Sequence, residues 1–392
     1  MEDCLTPDIG EAKALLAKLV GFDTTSSKSN LAIIEFIKSH LEGLGIGSII
    51  VPSVDGNKAN LYATIGERSD RGIGLSGHTD CVPVTGQPWD TDPFGMVEKD
   101  GRLYGRGTCD MKGYLACMLA AVPAFKAAKP KTPLHLIFSY DEEVGCDGAK
   151  QLAGAMGKTL PRPEIVLVGE PTNMSVVDAH KGGSRFLTRV RGQDAHSSMP
   201  QLGVNAIVAA ARLIGELQRL GEELARSRTE PRFNPPGSTV QVGRIEGGIA
   251  DNVVPQHCWF TWGIRMLPGY DPHDMKRKLM AFAEERVLPA MRAVSTDCTI
   301  TTELAGYIPS FDSGKGSAAT SLALKLAGQN ETFAVSYGTE AGFFQGVGPS
   351  TVICGPGSID QAHKPNEYVE VAEIEKCLGF MSRLADWAAT AH

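Results

Sequence analysis

Gly72-Ile73-Gly74-Leu75-Ser76-Gly77-His78-Thr79-Asp80 is the stretch that decides the fold. A short apolar run bounded by glycine reads as a strand, and it stops in a histidine and an aspartate. Outward from it lie other short β-rich runs: Ser48–Val54 and Asn60–Ile65 before, then Leu134–Tyr140, Ile165–Gly169, Thr332–Ser336 and Thr351–Cys354. Helical stretches fall between several of them, at Met111–Ala128 and Ser317–Leu326. Two more helices precede the strands. One starts at Thr6-Pro7-Asp8 and carries Leu15, Leu16 and Leu19 at helical spacing. The other runs from Asn30 to about Leu44, with Ile33, Ile34, Ile37, Leu41 and Leu44 on one stripe and Gly45 as its stop. Strand alternating with helix predicts an α/β fold, a mostly parallel sheet with helices on both faces. Ligands of such sheets collect beyond the carboxyl ends of the strands.

The middle of the chain has another rhythm. Strand Ser184–Arg191, helix Val204–Arg219, strands Thr239–Ile245 and Cys258–Met266, helix Pro272–Val287 and strand Thr299–Leu304 give the β-α-β-β-α-β order of a ferredoxin-like α+β unit. Arg226–Ser238, with its prolines, is a loop within it. The predicted layout is therefore an α/β domain in two parts, residues 1–180 and 306–392, split by an insert at 181–305.

Composition bounds the function. A chain of 392 residues, 42% hydrophobic and 21% charged, has ample material for a core, at roughly 150 residues per domain. Its net charge of −7 and lack of a basic cluster argue against a nucleic-acid partner. The longest apolar stretch, Tyr114–Phe125, falls short of the ~20 residues of a membrane helix and is broken by Pro123, so no membrane partner is expected. Glu2 and Asp3 at the N-terminus do not resemble a signal peptide. Nine scattered cysteines, with no CxxC pair, point to the reducing cytoplasm.

Chemistry gathers where strands end. His78 and Asp80 lie two apart, on one side of an extended chain, so the carboxylate is placed to accept one imidazole N–H while the other nitrogen takes a metal. An isolated HxD serves a turn equally well. Gly105-Arg106-Gly107-Thr108-Cys109-Asp110-Met111-Lys112-Gly113 opens a helix, where Asp110 alone reads as a cap, and the order is not that of a phosphate loop. Asp141-Glu142-Glu143 follows one strand and Glu170 ends another. Three adjacent acids suit a solvated turn or a divalent cation. His363 comes nine residues after the strand ending at Cys354. Taken together, His78, Asp110, Glu143, Glu170 and His363 offer two imidazoles and three carboxylates, a donor mix for zinc, manganese or cobalt. With one carboxylate shared, two metals fit ~3.5–4 Å apart, and Glu142 is left free as a base. Cys109 beside Asp110 reads as packing, with a thiol nucleophile as the alternative; His135 and the aromatic pair Phe343-Phe344 read as core.

The runs Ser76-Gly77-His78-Thr79-Asp80-Cys81-Val82-Pro83, Gly105 to Gly113 and Asp141-Glu142-Glu143-Val144-Gly145 resemble the co-catalytic two-zinc aminoacylase and carboxypeptidase family, over essentially the whole chain. The resemblance implies a zinc-peptidase-like α/β domain with an inserted lid and dimerisation domain, hence a homodimer. It implies two Zn2+ per subunit, replaceable by Co2+ or Mn2+, with His78 and Glu170 on one, Glu143 and His363 on the other and Asp110 bridging. Glu142 is then general base and Asp80 orients His78. Many relatives carry a second acid where this chain has Met111, a position that is not a ligand. Gly192-Gln193-Asp194-Ala195-His196-Ser197-Ser198-Met199-Pro200 resembles the lid motif, whose histidine reaches the scissile carbonyl, generally from the other subunit. Asn252 and Arg265 match the grip on a substrate carboxylate, for which paired guanidinium donors are suited. Tyr337 to Gly342 and Cys354 to Pro365 look most like the branch that removes the acetyl group of N-acetyl-L-ornithine in arginine biosynthesis, and Glu340 in the first is expected near the distal ammonium. The expected substrate is thus a small N-acyl amino acid. Desuccinylation of succinyl-diaminopimelate, a broader aminoacylase or dipeptidase activity, and a non-catalytic binding role on the same fold are the alternatives.

Overall fold

The computed structural model describes residues 7–390; Glu2, Asp3 and Thr6, used above in reading the N-terminus, lie outside them. The first helix, Ile9–Val20, is capped by Asp8, whose carboxylate accepts the Glu11 N–H at 2.8 Å. The chain forms two compact units. One takes residues up to Ala179, then Phe311–Phe333, then Thr339 onward; the other is His180–Ser310 with Ala334–Gly338.

In the first unit, Leu134–Ser139, Ile73–His78, Ile165–Pro171 and Ser350–Gly355 lie side by side and parallel. Antiparallel Ala59–Ile65 and Ser48–Pro52 extend the Leu134 edge. Every residue of Ile73–His78, Leu134–Ser139 and Ile165–Pro171 is buried, as strands covered on both faces require. Helices Ile9–Val20, Leu31–Gly43, Lys112–Ala127, Ala318–Ala327 and Val371–Ala389 supply much of the core around this sheet. The fold is thus the α/β sheet that the alternation predicts. A small antiparallel sheet of Val97–Lys99, Arg102–Tyr104 and Tyr368–Glu370 has strands of three residues, too short to show a period in the sequence.

The second unit is a four-stranded antiparallel sheet in the order Thr239–Gly247, His257–Met266, Gly182–Arg191, Thr299–Ile308. Alternate residues of His257–Met266, from Cys258 to Met266, are buried against Ala206–Ser227 and the other helices. The long helix outruns the expected Arg219 because Leu220 and Leu224 prolong its apolar stripe and Arg219 pairs with Glu216 and Glu223 one turn either side. The expected helix Pro272–Val287 instead runs Asp274–Phe282, widens to a π-type turn over Ala283–Val287 and resumes as Leu288–Arg292, where Pro289 has no N–H to give. The expected strand Thr332–Ser336 is reduced to Phe333–Val335 and crossed by the boundary between the units. Among the described residues no helix is long and apolar enough to cross a membrane, and eight cysteines are free.

Candidate metal centre

Parallel strands that end together deliver their next residues to one edge. His78 closes its strand, Glu170 is the last residue but one of its own, and Glu142–Val144 forms a single 3-10 turn just past Leu134–Ser139. Close approach of neighbours fixes Glu170. The ring of Tyr114 lies where a Cβ on Gly169 would be, 2.1 Å away, and a Cβ on Gly355 would meet the Gly169 carbonyl at the same distance. Only glycine fits either position. His363 sits on a loop in left-handed backbone, φ +65°, with its side chain half exposed.

These residues meet in two linked triads. His78, Asp110 and Glu170 place one ligand atom each within 4.8 Å of one another, and so do Asp110, Glu143 and His363. Asp110 belongs to both: its Oδ1 lies 3.0 Å from His78 Nε2 and its Oδ2 3.4 Å from His363 Nε2. It is not a helix cap, since Met111 holds the N-cap position and Asp110 faces the imidazoles. Glu143 Oε2 lies 2.9 Å from His363 Nε2, and Glu170 Oε1 4.0 Å from His78 Nε2.

Asp80 has two tasks. Its backbone carbonyl lies 3.0 Å from His78 Nδ1, nearer than its carboxylate at 3.5 Å. The carboxylate spends itself on the acidic turn instead, accepting the N–H of Glu142 at 3.1 Å, of Glu143 at 3.4 Å and the Ser26 hydroxyl at 2.7 Å. Asp80 therefore ties His78 to the turn that carries Glu142 and Glu143. Ser26, far away in sequence, gave no signal of this. Lys58 pairs with Asp141, the neighbour that none of the triads uses.

The electrostatics fit a cation. Burial, together with Asp110, pushes Glu143 up to about 7 against the pull of His363. Burial also holds Glu170 well above the usual carboxylate range, helped by Glu142 and Asp110. Burial pushes Asp110 upward too, but hydrogen bonds to His363 and His78 outweigh it and keep the group low. Asp110 and Glu143 raise His363 to about 10. Buried Glu143 Oε1 and Glu170 Oε1 accept no hydrogen bond. Buried carboxylates with unsatisfied oxygens, grouped with imidazole nitrogens, are the donor set of divalent metals such as zinc.

The remaining candidates fall elsewhere. Glu340 is a correction: it is fully buried, with its two oxygens accepting from the hydroxyls of Ser76 and Ser139, the latter at 2.6 Å. It braces two strand ends and presents no surface to a substrate ammonium. Its place after a short strand in the sequence carries no mark of that depth. In the second unit, the His196 and Asn252 segments adjoin, the Ser197 N–H donating to the Asn252 carbonyl at 3.0 Å, and both residues are exposed. Arg265 is exposed on the solvent-facing side of its strand, opposite Gly183 and Thr239. Cys109 is buried and its thiol is pushed up by burial and by Glu367 and Asp110, which makes it a poor nucleophile. His135 is buried with both ring nitrogens engaged, by Thr64 and by the Arg71 carbonyl.

Comparison with known proteins is consistent with this geometry. Residues 74–387 match the model of Peptidase family M20/M25/M40. The chain is 37% identical over 382 residues to an acetylornithine deacetylase of Myxococcus xanthus, covering 95% of this chain and 96% of that one. It is 36% identical over 366 residues to an acetylornithine deacetylase of Proteus mirabilis, covering 93% and 92%. Among solved structures, an aminopeptidase from Bacillus cereus superposes with a TM-score of 0.78 at 22% identity, over 98% of this chain and 100% of that one. A protein from Bacillus subtilis described as a dinuclear metal binding peptidase superposes with 0.66 at 17% identity, over 97% and 99%.

Proposed function

Because the chain belongs to peptidase family M20/M25/M40, we propose that it removes the acetyl group of N-acetyl-L-ornithine, giving L-ornithine and acetate for arginine biosynthesis. One observation carries the chemistry: two ligand triads share Asp110, and Glu142, the residue before Glu143, belongs to neither. The shared name of the Myxococcus and Proteus relatives supports the substrate. Divalent cations on the triads, zinc first and cobalt or manganese in its place, would polarise the amide carbonyl and acidify a water.

The protein's own part is proton handling and orientation. Glu142 takes the proton of the attacking water and passes it to the amine nitrogen as the C–N bond breaks, so acetate and free amine leave. Burial holds its carboxyl well above the ordinary range; His78 opposes this and Glu143, Asp110 and Asp80 add to it. A carboxyl so placed can carry a proton between two transfers. His196 is assigned to the developing oxyanion, and Asn252 with Arg265 to the substrate carboxylate. Their exposure and the seating of the His196 loop against Asn252 support this. We assign the inserted unit as lid and dimer contact, and the unpaired cysteines support a cytoplasmic setting.

The substrate is tested by kcat/KM on N-acetyl-L-ornithine against succinyl-diaminopimelate. Acetylornithine should lead by roughly 10–200-fold, the range an acyl pocket discriminates. The reverse order would assign the enzyme to desuccinylation. For the histidine, mixing a His196→Ala chain with a Glu142→Ala chain should restore part of the activity, since one mixed site would keep both groups. Persistent inactivity in a mixture shown to exchange subunits would remove His196 from the partner's site.

A further inference from the structure

We propose that Glu367, working through Arg106 and Gln87, is a positioning residue that sets the Asp110–Glu143–His363 triad for its metal. The inference rests on the reading of the triads as metal sites. Glu367 lies four residues beyond His363, fully buried, and its carboxylate is divided between two tasks. Oε1 accepts the backbone N–H of Cys109 at 2.9 Å and of Asp110 at 3.1 Å. Oε2 accepts from Arg106 Nη1 at 2.6 Å. Arg106 is equally buried, and its Nη2 donates to Gln87 Oε1 at 2.5 Å. Gln87 Nε2 then donates to the backbone carbonyl of His363 at 2.8 Å.

A continuous set of hydrogen bonds thus runs from the backbone of the shared ligand to the backbone of the exposed one. A buried ion pair contributes little to stability by itself, because desolvation offsets most of the attraction. Its worth here is geometric. His363 sits on a loop in left-handed backbone with its side chain half exposed, so its imidazole is only as fixed as the backbone that carries it. Gln87 fixes that backbone, Trp89 supports the same network from its ring nitrogen 3.2 Å from Gln87 Oε1, and the ring lies 5.1 Å from the Arg106 guanidinium. The antiparallel pairing of Tyr368–Glu370 with Arg102–Tyr104 holds the two loops in register. Groups behind the ligands typically govern metal affinity by roughly 10–100-fold.

The test titrates metal-free protein with Zn2+ against a chromophoric chelator, and with Co2+ followed by its absorption bands. In Glu367→Gln the weaker of two binding steps should move roughly 10–100-fold to higher free metal, with altered Co2+ bands, and excess Zn2+ should restore kcat at unchanged KM. Because an unpaired buried Arg106 endangers folding, Gln87→Ala is the second variant. It removes only the hold on the His363 carbonyl and should weaken the same step by about 10-fold. Parent-like affinities and Co2+ bands in a folded Glu367→Gln, or in Gln87→Ala where the first does not fold, overturn the proposal. A parent protein that binds no metal would instead overturn the reading of the triads, a different and separable result.

Discussion

Glu142→Ala is expected to lower kcat roughly 10^2–10^4-fold, the range of a single general acid–base group, with both metals still bound. The two halves of this result come from different atoms. Glu142 supplies no member of either triad, so its side chain can go without removing a ligand. The turn that carries Glu143 stays anchored, because Asp80 grips the backbone N–H groups of Glu142 and Glu143, which alanine retains. What disappears is a carboxylate that belongs to neither triad and, unlike that of Asp80, is not engaged by the backbone of the acidic turn. Glu142→Gln is the sharper variant, since it preserves shape and removes the proton acceptor. It should be about as damaging as alanine, whereas Glu142→Asp, one methylene short, should fall between. Steady-state kinetics with metal content by elemental analysis would check all three. More than about a tenth of parental kcat in a metal-replete Glu142→Gln would place the base elsewhere.

What the sequence revealed of this site, and what it hid, follows from the range of each interaction. His78, Glu142, Glu143 and Glu170 are legible because each stands at or just past the end of an apolar strand, and parallel strands deliver such residues to one edge. Asp110 alone was ambiguous between cap and ligand, and only the imidazoles reached from distant segments decide it. The depth of Glu340 was not legible, because its partners Ser76 and Ser139 come from two other strands. Glu367 was missed for the same reason: its tie to Asp110 spans the chain, while locally it stands in an ordinary polar turn. In the insert, apolar periodicity placed the six elements in order. It could not foresee the return of Ala334–Gly338, which has no period.

Asp110→Ala is the substitution expected to cost most, because one side chain serves both triads. Removing any other ligand strips one: His363→Ala would leave His78, Asp110 and Glu170 complete. Removing Asp110 leaves His78 with Glu170 and Glu143 with His363, two pairs and no complete triad. Pairs of ligands hold a divalent cation poorly, so metal content should fall well below one equivalent after dialysis. kcat/KM should drop at least about 10^3-fold, some 4 kcal/mol, the scale of Lewis-acid stabilisation. The same loss has a reading independent of turnover. A ligand that binds the folded state at one hundred times its Kd stabilises it by about 2.7 kcal/mol, so Zn2+ should raise the Tm of the parent protein and leave that of Asp110→Ala nearly unmoved. The variant is not expected to unfold, since the charge removed is one that pushes Glu143 and Glu170 upward. Parental metal stoichiometry and a parental Zn2+-induced rise in Tm in Asp110→Ala would show that the carboxylate facing both imidazoles is not the shared ligand.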